Sequence, residues 1–461
     1  MIWQLFRLGG PSPIRAGLFT SSVVAFTLFV AVPPPMQLRA QDASAAGDKQ
    51  VRARGLGVPF DGTPGTYNAI TDVPGVEVGY KTLISGEGRT VIGKGPVRTG
   101  VTAILPRGKK DGASVFAGFF AGNGNGDMTG THWIEESGVM ETPILITNTL
   151  SVGVVRDAAV AWMTAQNRPG AFWYPVVAET ADATLNDIKG QHVTKQDALD
   201  ALNTAASGSI SEGNVGGGTG MVCNGFKGGS GTSSRRVSVE GRTYTIGVFV
   251  QCNYGTREEL RIAGVPVARE MKASPFCLAK PLDPPPAVLQ RFKTPMCDKA
   301  LLDQAQDGAN ARMPKEDEQG SIIVIVGTDA PLSPDQLKRL ARRVPLGLGR
   351  AGSILGDSSG DLFLAFSTAN KGADEGNSSA FDKPTVSKVE RLISPSLNPL
   401  FKATAQATEE AVDNAMVAAR TMVGANYVVA PALPHDELQR VLRYHKLLSE
   451  QAEKVTGTSK H

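Results

Sequence analysis

The run Ile322-Ile323-Val324-Ile325-Val326 is apolar and β-branched at every position. Successive side chains of a strand point to opposite faces, so this segment avoids water on both sides. It fits only a sheet that is covered by another layer on each face. There are 52 glycines among 461 residues, while aromatics make up 6%. That balance implies many tight turns and close backbone approaches, and it argues against a helical bundle.

Other segments supply the layers. Val76–Tyr80, Gly100–Leu105, Tyr244–Cys252 and Leu362–Phe366 are short apolar runs between turn residues, which predicts strands. Val115 begins another, which passes into the loop Gly122-Asn-Gly-Asn-Gly126. Helical spacing marks Leu150–Gln166, Asp197–Ala206, Ala263–Lys272, Ala403–Val423 with Gly424 as its cap, and His435–Ser449. Ser333-Pro334-Asp335-Gln336 reads as a helix start, with serine at the N-cap, proline in the first turn and glutamine reaching back. That helix is expected to stop at Val344, before Pro345. Strands and helices do not alternate strictly, so the fold class is α+β in packed layers. Between them, 274–320 is proline-rich and then strongly polar, and reads as a linker or insert.

The first 40 residues stand apart. Arg7 and Arg15 precede an apolar run from Ala16 to Val32, Pro33-Pro34-Pro35 follows, and Ala40 ends a small-residue site. This predicts a secretory signal peptide over 1–40, a mature chain from Gln41, and a periplasmic or secreted protein. The alternative is an uncleaved membrane anchor. Outside the cytoplasm the four cysteines can pair. Cys277 and Cys297 flank a proline-rich stretch and are the better candidates for a staple. Cys223 and Cys252 lie in apolar runs that suit buried thiols.

A formal charge of +3 gives no basic footprint for nucleic acid. No Cys/His spacing suggests zinc, and no metal or cofactor is expected. Gly88–Gly95 approaches a phosphate-binding loop, but Gly95 replaces the magnesium-binding hydroxyl and Pro96 follows, so a hairpin is the reading. The glycines of 213–232 have no strand–helix context and suit close packing or a loop lining the substrate. Gly356-Asp-Ser-Ser-Gly360 matches G-x-S-x-G, but a strand follows where a nucleophile elbow needs a helix.

Gly320-Ser321 sits where the polar segment meets the buried strand. A cut there gives Ser321 both a hydroxyl and a free α-amine. That amine titrates near 7.7–8.0, so one residue supplies nucleophile and base.

Several segments resemble the self-processing aminopeptidases of the DmpA type (L-aminopeptidase/D-esterase and β-peptidyl aminopeptidases, peptidase family S58). They include Arg54–Phe60, Asn68–Val76, Pro175–Thr180, Glu212–Gly220, Phe226–Gly229, Gly320–Val324, Thr328–Leu332, Ser359–Asp361 and Ala365–Thr368, in the same order over about 51–445. The resemblance implies an αββα sandwich with N-terminal-nucleophile-hydrolase-like layers but different connectivity. It implies one catalytic domain, cut at Gly320-Ser321 into an α chain, 41–320, and a β chain, 321–461, that stay together. By the same resemblance Ser321 is the nucleophile, Asn253 the oxyanion donor, and Ser359 and Asp361 the pair that tunes the nucleophile. Glu179 would hold the substrate's ammonium. Peptides or aminoacyl amides would be substrates, and a homo-oligomer, a tetramer of αβ units, is expected. Bland roles stay open: a structural ion pair for Glu179 and a turn acceptor for Asp361.

The sequence departs from the family in two places beside these residues. Ala181 replaces an aromatic found in some relatives, which leaves L-, D- or β-residue preference open. Cys252 stands where a small alanine is expected. Two other functions compete: acyl transfer, as in ornithine acetyltransferases, which use threonine at the cut, and a secreted binding protein with an inactive site.

Overall fold

The computed structural model describes residues 50–168, 172–286, 320–372 and 386–448, with Leu289, 294–298, Leu301 and the backbone of Asn310 and Ala311. The expected signal peptide and most of the polar part of 274–320 lie outside the described residues.

Two sheets form the centre. One has the order β1 (Glu77–Ser85), β2 (Val97–Leu105), β5 (Ile144–Thr147), β6 (Val176–Glu179). The other runs β4 (Val139–Met140), β3 (Val115–Ala121), β14 (Gly360–Ser367), β13 (Ser321–Thr328), β10 (Arg242–Asn253), β9 (Gly229–Val239). Pairing within the second sheet is antiparallel except for β13 with β14. Strand β13 is therefore interior to its sheet, as its sequence requires.

Three apolar clusters separate the layers. Ile323 and Ile325 of β13 join Ile104, Ile144, Ile146, Val176 and Phe249 between the two sheets. Ile322, Val324 and Val326 face the other way, toward α5 (Pro334–Ala341), α6 (Val344–Arg350) and α7 (Asn398–Val417). On the far side of the first sheet, Val101, Ala103 and Leu145 pack on α2 (Val152–Ala165) and α3 (Lys195–Thr204). The order is helix, sheet, sheet, helix: the αββα sandwich. Glycine sets the spacing where α7 rests on β9, since a Cβ on Gly231 would lie 2.1 Å from Ala411 O.

Local signals placed several elements well. Thr194 caps α3, and Gln336 Oε1 accepts from Ser333 N–H at 3.1 Å at the start of α5. Gly86–Pro96 is the turn of the β1–β2 hairpin, with Val91 bridged to Gly95.

Other boundaries move. Helix α5 ends at Ala341, and Pro345 falls in the first turn of α6, where a missing N–H costs nothing. Helix α7 starts at Asn398, with Pro399 in its first turn, and ends at Val417. The residues expected to continue it form β15 (Met422–Val423), which pairs with β16 (Val428–Ala430), and Gly424 turns between them. The helix expected over Ala263–Lys272 is one turn, α4 (Val267–Glu270), following Pro266. Helices α1 (Thr131–Ser137) and α8 (His435–Tyr444) and the small strands β11 (Cys277–Leu278) and β12 (Asn310–Ala311) complete the described elements used below.

The cysteine expectation is reversed. Cys223 and Cys252 are joined as a disulfide, with Cα atoms 5.6 Å apart. Cys277 and Cys297 are thiols, their sulfurs 3.5 Å apart. The cause is a hairpin of β7 (Val222–Cys223) and β8 (Phe226–Lys227), turned by Asn224 and Gly225 at φ 47° and 66°. It brings Cys223 to the end of β10, a proximity that nothing local announces.

Candidate active site

Strands β10, β13 and β14 put four of the sequence candidates at one end of the second sheet. Asn253 is the register partner of Ser321, which in turn pairs with Gly360. Ser321 shares the inter-sheet face with Ile323 and Ile325 by strand alternation. It is 5% exposed, and its hydroxyl has no hydrogen-bond partner among the described residues. An oxygen not held by a neighbour can turn toward a carbonyl.

Gly320 has φ 125°, a conformation that L side chains rarely adopt. A Cβ there would lie 2.0 Å from Asn253 O. Only glycine fits immediately before Ser321. Its carbonyl oxygen accepts from Gly360 N–H at 3.0 Å, so a backbone donor already points at the carbonyl next to the serine.

Asn253 is fixed at both ends of its amide. Its Oδ1 accepts from Val222 N–H at 2.9 Å, and its Nδ2 donates to Ala181 O at 3.0 Å. An amide nitrogen carries two hydrogens, so one donor is left for another acceptor.

Ser359 Oγ donates to Asp361 Oδ1 at 2.7 Å, and Asn123 Nδ2 donates to Asp361 Oδ2 at 3.0 Å. Both Ser359 and Asp361 are buried. Asp361 lies between Gly360, partner of Ser321, and Leu362 of the inter-sheet core, so alternation sets it on the sheet face opposite Ser321. Ser359 and Asp361 are thus joined to each other. No hydrogen bond links it to the hydroxyl of Ser321.

Glu179 ends β6 in the other sheet. It is 3% exposed. Asp127 N–H donates to its Oε1 at 3.0 Å, and Thr149 Oγ donates to its Oε2. No Lys, Arg or His among the described residues forms an ion pair with it. Burial pushes its carboxyl above the usual value near 4.5, partly offset by those two donors. A Cβ on Gly126 would lie 3.1 Å from Glu179 Oε1 and 3.3 Å from Gly360 Cα, so the loop 123–127 bridges the glutamate to the strand beside Ser321.

The chain has known relatives. The description of peptidase family S58 matches residues 68–429. The chain belongs to peptidase family S58. It is thus a peptidase, a hydrolase. It is 49% identical over 409 residues to a β-peptidyl aminopeptidase, BapA, of Sphingosinicella microcystinivorans, covering 88% of this chain and 96% of that one. A β-peptidyl aminopeptidase of Sphingosinicella xenopeptidilytica is 44% identical, covering 88% and 93%. Among solved structures, the L-aminopeptidase D-Ala-esterase/amidase of Ochrobactrum anthropi, described as a variant of the Ntn hydrolase fold, is 42% identical with a TM-score of 0.72. It covers 86% of this chain and 99% of that one. A Burkholderia β-aminopeptidase is 41% identical at a TM-score of 0.71, with the same coverage. The S58 sandwich and its Ntn-like layers are therefore this chain's fold.

The structure also brings in groups that sequence reading passed over. Asp127 and Val222 hold the candidates through backbone N–H groups and Thr149 and Asn123 through side chains, across separations that no local pattern encodes. One local signal existed: Asn224-Gly225 between Val222-Cys223 and Phe226-Lys227 marks a two-residue hairpin. Reading it would have set Val222 opposite Lys227.

Proposed function

We propose that this protein is a self-cleaving serine aminopeptidase that removes N-terminal residues, β-residues included, from peptides and aminoacyl amides. The observation that carries this is the placement of Ser321. It has an unengaged hydroxyl at the end of an interior strand, behind a glycine no other residue can replace, with Asn253 opposite.

In self-cleavage, Ser321 Oγ adds to the carbonyl carbon of Gly320. Gly360 N–H and the spare hydrogen of Asn253 receive the developing oxyanion. The C–N bond breaks, the serine nitrogen takes up a proton, and Gly320 is left as an ester on Oγ. Water hydrolyses that ester, which frees the 41–320 carboxylate and the α-amine of Ser321. In turnover the amine takes the Oγ proton while Oγ attacks the substrate. The Ser359–Asp361 pair would tune this amine and hydroxyl once the cut has freed them.

Glu179 supports exopeptidase action. A buried carboxylate with two neutral donors and no cation favours an ammonium. The β-residue preference rests on the two Sphingosinicella relatives. Serine at the cut disfavours the acyltransferase reading. Export by a signal over 1–40 and assembly as a tetramer of αβ units complete the proposal.

The test is direct. The wild-type chain should run as two bands on a denaturing gel, with an N-terminus at Ser321. Ser321→Ala should give one band and no hydrolysis, and Ser321→Cys should retain some processing. A fragment beginning at residue 321 in Ser321→Ala would sink the mechanism. N-terminal sequencing that began at Met1 would overturn export by cleavage.

A further inference from the structure

Lys227 is fully buried and faces no carboxylate among the described residues. Its ammonium donates to Met221 O at 2.8 Å, Gly228 O at 2.9 Å and Gly218 O at 3.3 Å. All three of its hydrogens are thus spent on backbone carbonyls. Burying a cation without a counter-charge is costly, and burial alone brings its pKa down to about 7. A purely structural contact at this place would be cheaper with an apolar side chain.

What the cation touches gives a reason for it. Met221 C=O and Val222 N–H belong to one planar peptide group. The carbonyl end accepts from Lys227, and the N–H end donates to Asn253 Oδ1 at 2.9 Å. A cation on the carbonyl polarises that amide and strengthens the hydrogen bond its N–H gives. The same peptide group decides which way the Asn253 amide faces. A turned-over amide would set Nδ2 against Val222 N–H, donor against donor. The hairpin holds the arrangement, with Val222 and Lys227 as register partners and Cys223 tied to Cys252, the residue before Asn253.

We propose that Lys227 is a positioning residue that orients and polarises the Asn253 amide through the Met221–Val222 peptide group. This rests on the reading of Asn253 as the oxyanion donor.

The experiment uses the full-length chain with Lys227→Met, Lys227→Gln, Asn253→Ala and the double variant Lys227→Met/Asn253→Ala. Precursor conversion is timed on denaturing gels, and the processed enzyme is assayed on an aminoacyl p-nitroanilide. Hydrogen exchange at Val222 is read separately. Lys227→Met should lower kcat at least about tenfold with KM unchanged, as loss of a charged hydrogen bond acting on the transition state predicts. Lys227→Gln should fall between. Val222 N–H should lose protection while Val250 and Val324 keep theirs.

The double variant should be no slower than Asn253→Ala, because the lysine acts only through the asparagine. Additive losses would overturn the proposal, as would a Val222 amide as protected as in the wild type. If neither Lys227 variant folds, unchanged protection at Val222 in Asn253→Ala, where the acceptor is gone, would sink it too. If Asn253→Ala kept full kcat, the oxyanion reading would fail instead, whatever the lysine variants did.

Discussion

Asn253 and Ser321 sit directly opposite each other on β10 and β13, although 68 positions apart in the chain. Gly360 flanks the serine on its other side. A serine hydroxyl, a side-chain donor and a backbone donor thus share one end of the sheet. Positioning of this kind is set by the strand ladder itself and not by loop flexibility.

The glycine before the serine should be irreplaceable. Gly320→Ala adds a Cβ 2.0 Å from Asn253 O at φ 125°. Strain of this kind costs about 1–3 kcal/mol, and the scissile carbonyl must shift away from Gly360 N–H. Self-cleavage should slow at least about tenfold. Densitometry of precursor and β chain over time measures it, and wild-type conversion in this variant would refute the geometry.

Glu179→Gln should raise KM for substrates with a free amine by one to two orders of magnitude, roughly the loss of a charge-assisted contact. Self-cleavage, which involves no ammonium, should stay within about twofold, since the change spares the Ser321 end of the sheet. A variant that failed to process but hydrolysed normally once cut would remove Glu179 from substrate binding.

The same residue sets an acid limb. Only the carboxylate form attracts an ammonium. Burial raises the folded pKa of Glu179, so it takes up its proton earlier, as pH falls, than an ordinary glutamate does. KM for free-amine substrates should therefore climb with falling pH from above about 4.5, while the Glu179→Gln variant shows no such limb. A flat wild-type KM through this window would contradict the assignment.

Asp413 is a stability liability. It is fully buried on α7, and neither carboxylate oxygen has a hydrogen-bond partner among the described residues. Burial, then the charges of Glu409 and Glu410, push its carboxyl well above the usual range. The folded chain holds this proton where the unfolded chain, with a pKa near 3.9, has lost it. Stability therefore falls as pH rises from about 3.9 toward the raised folded value. Asp413→Leu should add about 1–3 kcal/mol, the ordinary cost of a buried unsatisfied group, with most of the gain above that window. Thermal unfolding at pH 4 and pH 7 measures it, and an equal gain at both would reject the titration argument.

Peptide mapping without reductant should recover Cys223 linked to Cys252, and Cys277 and Cys297 as thiols. Burial pushes the Cys297 thiol up to about 12 and Cys277 higher still, so alkylation of either at pH 8 should be slow. Rapid labelling of Cys277 in the folded protein would show that it is not buried as described.

The sequence by itself determined whatever depends on neighbours a few residues apart. The apolar run of Ile322–Val326 demanded layers on both faces, and it received them. Thr194 and the Ser333–Gln336 pair marked helix starts, because a capping bond closes within three residues. Ser321 was marked first by its place where the polar segment meets the buried strand, whereas Glu179 was singled out only through ordered likeness to a family, since nothing sets it apart from its neighbours.

Tertiary structure alone decided the rest. Strand register set Asn253 against Ser321, because a shift of one residue would turn every side chain to the other face. Where α5 and α7 stop was settled by what they pack against. The pairing of Cys223 with Cys252, and the reach of Lys227 to Asn253 through one peptide group, depend on a hairpin meeting the end of a strand. Such contacts join segments distant in the chain, and their energies exist only once the layers have closed.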